Sequence, residues 1–161
     1  MKTTAILLSA LATSLATSLV LANDAPVSAN GAPVRIDPGS GNCNGQDIHF
    51  KEDNFRVILR GECANIVISA SNGSVNVEKA QSIRVEGSHV VVLNRDVQVL
   101  EVTGNHNTLN MTKVGSADIS GSHNGLLGRE YGKVTFSGED NYVNTDNQPE
   151  VTDSGRKNRV R

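Results

Sequence analysis

The chain lacks an excess of charge of either sign. Fifteen Lys and Arg stand against 17 Asp and Glu, for a formal charge of −2. Nothing there draws a nucleic acid to it. Beyond residue 22 it also lacks any apolar run long enough to span a bilayer. No cysteine follows residue 22 closely enough to serve as a lipid-anchor site, and the chain holds only two, Cys43 and Cys63. It lacks a nucleophile elbow, a phosphate-binding loop and a Cys-His pair, so no enzymatic constellation is legible. Tryptophan is absent, and there are just two tyrosines and three phenylalanines.

Among what is present, the first residues read as an export signal. Met1-Lys2 gives a positive start, Ala5 to Leu21 is apolar and small, and Val20-Leu21-Ala22 suits signal peptidase. Cleavage is expected after Ala22, with Ala29 as a second candidate. Ser9, Thr13, Ser14, Thr17 and Ser18 interrupt the run and weigh against a membrane anchor. Residues 1–22 are therefore expected to be a signal peptide, leaving a periplasmic or extracellular protein with no transmembrane segment. In such an oxidising compartment Cys43 and Cys63 should form one disulfide, worth roughly 3 kcal/mol. Residues 23–42, with Pro26, Pro33, Pro38, Gly39 and Gly41, read as a flexible leader. Residues 146–161 end in Arg156-Lys157-Asn158-Arg159-Val160-Arg161 and read as a disordered basic tail.

The body between is a repeat. Val85-Glu86-Gly87-Ser88-His89, Val102-Thr103-Gly104-Asn105-His106, Ile119-Ser120-Gly121-Ser122-His123 and Phe136-Ser137-Gly138-Glu139-Asp140 recur every 17 residues. Ile68-Ser69-Ala70-Ser71-Asn72 lies one step earlier. Four apolar columns share the period. They are Cys63/Ala80/Val97/Val114/Tyr131, Ile66/Ile83/Leu100/Ala117/Val134, Ile68/Val85/Val102/Ile119/Phe136 and Val75/Val92/Leu109/Leu126/Val143. Alternation at period two with Gly, Asn or His at the corners makes short strands and tight turns. The predicted fold is all-β: a single-domain β-helix or solenoid over 43–145, with five to six short coils of 17 residues. A lone coil buries too little to offset the entropy of ordering it, so its neighbours must complete it. Ile48/Phe50 to Ile66/Ile68 is one residue longer than the repeat, and the disulfide should staple the first coil to the second. Phe50 and Phe55, and at the other end Tyr131, Phe136 and Tyr142, read as end plugs.

Taken together, Cys43, Ile48-His49-Phe50, Val57-Ile58-Leu59-Arg60-Gly61-Glu62-Cys63 and the repeated Gly-x-x-Asn-x-apolar units resemble a family of secreted bacterial domains of unknown function. The Gly-x-x-Asn step is met at Gly104/Asn107, Gly121/Asn124 and Gly138/Asn141, and broken at Ala70/Gly73 and Gly87/Val90. The resemblance spans 43–145. It implies a β-solenoid, export and a structural disulfide, and it brings no catalytic residues.

Three sets of residues are candidates for chemistry. His89, His106, His123 and Asp140 share one corner column, and imidazoles about 5 Å apart suit Zn²⁺, Cu²⁺ or Ni²⁺. Against that, stacked side chains point in parallel, and a polar corner residue is wanted anyway. Asn107, Asn124 and Asn141 read as a structural amide ladder. Arg84, Glu101, Asp118 and Thr135 form an outward column whose two carboxylates have retaining-glycosidase spacing, but alternating charge is also what a solvated face carries. No cofactor is demanded. The reading is a non-enzymatic protein that binds a polysaccharide, envelope component or protein on a flat face, or serves the envelope structurally. A self-assembling fibre subunit, a metal-binding protein and a carbohydrate-active enzyme are the alternatives.

Overall fold

A computed structural model describes residues 35–161. The expected signal peptide and most of the expected leader lie outside these residues. All regular structure within them is β: β1 (Arg35–Asn42), β2 (Ile48–Phe50), β3 (Arg56–Ile68), β4 (Ser74–Val85), β5 (Val91–Val102), β6 (Thr108–Ile119), β7 (Gly125–Gly128), β8 (Glu130–Phe136), β9 (Tyr142–Thr145), β10 (Glu150–Asp153) and β11 (Arg159–Val160). No described helix is long and apolar enough to cross a membrane. The strands pair in parallel, each with the strand one coil on, to give a parallel solenoid of about seven turns.

The 17-residue period is the pairing register. Val75 faces Val92, Val92 faces Leu109, Leu109 faces Leu126 and Leu126 faces Val143. β3 to β6 run through their bends without a break, so one strand covers two faces. In β4 the inward residues are Val75, Val77, Ala80, Ile83 and Val85. The alternation slips by one residue at each bend, where the strand turns from one face to the next. All four apolar columns are buried. The eighteenth residue of the long coil is absorbed at Gly61, where φ is +74° and the register slips between Leu59 and Glu62. That backbone suits glycine. Cys43 and Cys63 form the disulfide with Cα atoms 4.8 Å apart, joining the first coil to the second.

Two expectations about the ends are corrected. The expected leader includes β1, whose Ser40–Asn42 pair with Ile58–Arg60. Backbone pairing suffices for that, whatever the Pro and Gly content. The expected disordered tail is a further partial coil: β10 pairs with β8, β11 with β9, and Arg161 N donates to Val143 O at 2.9 Å. The solenoid thus extends past 145. Tyr131 and Phe136 are consequently fully buried beneath a covering layer rather than plugging an end. That layer is polar where earlier coils are apolar. Asp153 replaces the apolar residue above Phe136, and Asn147 brackets Tyr131, accepting from its N–H at 3.0 Å and donating to its carbonyl at 2.8 Å. The amino-terminal plug holds as expected. Phe50 and Phe55 stack with centroids 4.9 Å apart.

Candidate functional site

Every coil turns one corner through a left-handed residue, and from Gly104 to Asn158 it does so in the same four-residue device, of which the Gly-x-x-Asn spacing is the trace. The glycine comes first because coils touch there. A Cβ on Gly121 would sit 1.8 Å from the carbonyl oxygen of Gly104, and Gly104 and Gly138 are placed alike. The second residue points outward. The third takes a left-handed backbone: Asn54, Asn72, His89, His106, His123, Asp140 and Lys157 all have φ between 54° and 63°. The fourth, asparagine, turns inward and is buried.

The asparagines form the expected ladder. Asn107 N donates to Asn124 Oδ1 at 2.9 Å, and Asn124 N donates to Asn141 Oδ1 at 2.9 Å. Each side-chain amide reaches back to the glycine of the coil before: Asn107 Nδ2 to Gly87 O, Asn124 Nδ2 to Gly104 O, Asn141 Nδ2 to Gly121 O. Asn158 adds a rung, accepting from Asn141 N at 3.0 Å and donating to Gly138 O at 3.0 Å. Its signal was present in the sequence, since Gly155 and Asn158 lie 17 residues beyond Gly138 and Asn141. Toward the amino terminus the ladder ends at Val90, whose N–H donates to Asn107 Oδ1 at 2.8 Å.

The left-handed column sits on the outer edge of this device. His89 and His106 stack with centroids 5.3 Å apart and planes 6° from parallel. His106 and His123 do so at 4.9 Å and 2°. Their backbones are fixed: His89 N donates to Asn105 O, His106 N to Ser122 O, His123 N to Glu139 O and Asp140 N to Arg156 O, at 2.9–3.2 Å. His123 Nε2 lies 3.6 Å from Asp140 Oδ2, both side chains roughly half exposed at 51% and 41%. Glu139, next along the chain, is engaged elsewhere. Arg156 at 2.8 Å and Lys157 at 3.5 Å hold it, and the Arg156 charge keeps its carboxyl below the usual carboxylate range. The four residues expected as one metal site therefore lie in a single column, but the rings are parallel. Among the described residues no three His, Cys, Asp or Glu side chains converge on one point.

In the outward column Arg84 pairs with the first of the two carboxylates, Glu101, and not with Asp118. Arg84 lies 2.8 Å from Glu101 and 3.8 Å from Glu86, with the sheet running uninterrupted beneath. Two polar groups escaped sequence reasoning. His49 Nε2 is 2.9 Å from Ser69 Oγ, which donates to Glu86 Oε2 at 2.6 Å, a chain linking three coils. Ser69 and Glu86 lie 17 apart, and that was the available signal. Asn94 occupies an inward position between Val77 and Met111. Its Nδ2 reaches Val77 O at 3.3 Å, while its buried Oδ1 has no partner.

The face carrying the alternate residues of the first strand segment is mixed. One column runs Ile58, Asn76, Leu93, Asn110, Leu127, Asn144. Ile58 (37%), Val91 (38%) and Leu93 (41%) are exposed large apolar residues. Ile58, Leu59, Arg60, Asn76, Glu78 and Arg95 line a shallow open depression beside them.

Comparison with known proteins finds one family for part of the chain. Residues 102–157 match a family described as "Protein of unknown function (DUF3060)". The match covers less than half of the chain and spans the three Gly-x-x-Asn steps from Gly104 to Asn141, ending one residue short of Asn158. A resemblance to a family of unknown function is thereby supported, and no activity comes with it. No curated protein and no solved structure matches the chain.

Proposed function

We propose that the chain is an exported, non-enzymatic binding protein that presents one flat face of its solenoid to a protein partner in the periplasm, in the envelope or outside the cell. The observation that carries this reading is that Ile58, Val91 and Leu93 are exposed on one face, with Asn76 between Ile58 and Leu93 and with Arg60, Glu78 and Arg95 around the depression beside them. Exposed apolar side chains interspersed with polar groups of both charge signs suit a protein interface. A polysaccharide platform would instead present aromatic rings, and on this face the described residues offer Tyr142 alone. The parallel ladder beneath keeps the face rigid, so little order is lost on docking. Export rests on the signal-like start of the chain and on the pairing of its two cysteines.

The test places a photo-crosslinking amino acid at Leu93 in the native host, with Lys133 on the neighbouring face as control. The expected result is a discrete adduct to another protein from position 93, lost with Val91→Arg and absent from position 133. No adduct, or the same adduct from both positions, overturns the reading. An adduct between two copies of the chain overturns it in favour of self-assembly. Mass spectrometry should find the envelope form starting at Asn23, and an uncleaved cytosolic chain would refute export.

A further inference from the structure

The column of left-handed corners sets ionisable side chains at one coil spacing. A left-handed residue other than glycine costs about 1–2 kcal/mol, and Asn, Asp and His meet that conformation most readily. The column uses Asn at 54 and 72, Asp at 140 and Lys at 157, and three consecutive coils use histidine. All three imidazoles are exposed to solvent and stack on one another.

We infer that the carboxy-terminal end of this column binds a divalent transition cation through His123 Nε2 and Asp140 Oδ2, with His106 as a third ligand. The two donors lie 3.6 Å apart. A tetrahedral cation with bonds of about 2.1 Å spans donors about 3.4 Å apart, so the pair is close to chelating distance as it stands. Each donor projects from a corner whose own N–H is bonded to the next coil, which fixes the ligand-bearing backbone. The neighbouring carboxylate, Glu139, is held by Arg156 and Lys157. The His106 ring stacks on His123 with centroids 4.9 Å apart and parallel planes, so as it stands it does not converge with the pair. A rotation of its exposed side chain brings it in, and water completes the shell. His89 lies two coils from His123, about 10 Å along the stack, and takes no part. Imidazole with carboxylate selects Zn²⁺, Ni²⁺ or Cu²⁺ over Ca²⁺ or Mg²⁺. This inference does not rest on the protein-binding face.

Titration calorimetry of the oxidised, untagged chain with Zn²⁺ and with Ni²⁺ at pH 7.5 tests it. The variants are His123→Asn, Asp140→Asn and His89→Asn, because Asn already occupies this column and keeps the left-handed corner. The expected result is one equivalent of metal, with binding at least about tenfold weaker in the first two variants and unchanged in the third. Thermal melts of the metal-free variants establish that each is folded. No saturable heat in the wild type overturns the inference. So does equal weakening by His89→Asn, or full binding in both His123→Asn and Asp140→Asn.

Discussion

Replacing Asn124 by alanine should cost about 3–5 kcal/mol, and the figure follows from the groups it leaves behind. Asn124 is fully buried. Its Oδ1 is the acceptor for Asn107 N–H at 2.9 Å, and its Nδ2 donates to Gly104 O at 2.9 Å. Alanine strands both backbone groups in the interior between two coils. Each buried group without a partner costs about 1–3 kcal/mol, and the missing amide adds a small cavity. Marginal stability for domains is about 5–15 kcal/mol, so this one change removes a large share. Asn158→Ala deletes the equivalent contacts to Asn141 N and Gly138 O, but at a half-buried end where water can replace them. It should cost about 1 kcal/mol. Urea unfolding of the oxidised protein measures both, and amide exchange of Asn107 should accelerate in the Asn124 variant. A loss below 1 kcal/mol for Asn124→Ala, or equal losses at the two positions, would refute the argument that burial of the stranded backbone groups sets the energy.

Two further outcomes test the carboxy-terminal half. Tyr131 carries a buried hydroxyl with no partner, so Tyr131→Phe should stabilise the fold by about 1–2 kcal/mol in urea melts at neutral pH. Burial pushes that phenol well above its ordinary value of 10; above pH 10 the unfolded chain releases a proton that the folded one keeps, so wild-type stability should fall as pH rises and the Phe variant should fall less. Parallel curves between pH 9 and 11 would refute this. Deleting residues 150–161 should lower stability by about 3–6 kcal/mol, because it uncovers Val134, Phe136 and Val143; an unchanged thermal midpoint would mean that the last coil contributes nothing.

How much of this was legible follows from what each signal depends on. Column membership depends on spacing alone, so the four apolar columns, the asparagine ladder and the histidine row could be read directly. The last coil has the same spacing at Gly155 and Asn158, but the basic run Arg156–Arg161 is a compositional signal, and it pointed to disorder. The structure shows why composition was a poor guide. A terminal coil is wetted on one side, and its polar residues face water or cap the ladder, as Asp153 does by accepting from Gly155 N and Asn158 Nδ2. β1 is a similar case, because backbone pairing carries no compositional mark. The parallel direction of the rings was legible as well, whereas the 3.6 Å approach of His123 to Asp140 was not. Spacing sets which imidazoles are neighbours, whereas the shared left-handed corner makes them parallel.

That last point bears on why a site at this corner would use two coils rather than four. In a parallel stack identical residues repeat at one coil spacing, and identical rotamers point their donor atoms along parallel lines that never meet. Convergence needs a break in identity, where a side chain of different length follows in the column. The break here is between His123 and Asp140, and there a ring nitrogen and a carboxylate oxygen approach to 3.6 Å, whereas the preceding rings stack face to face. At the other end His89 follows Asn72, an amide with little affinity for transition metals. The two ends of the histidine row are therefore chemically distinct although the backbone treats them alike. In a solenoid, functional sites are to be sought where a column changes residue type and not where it repeats.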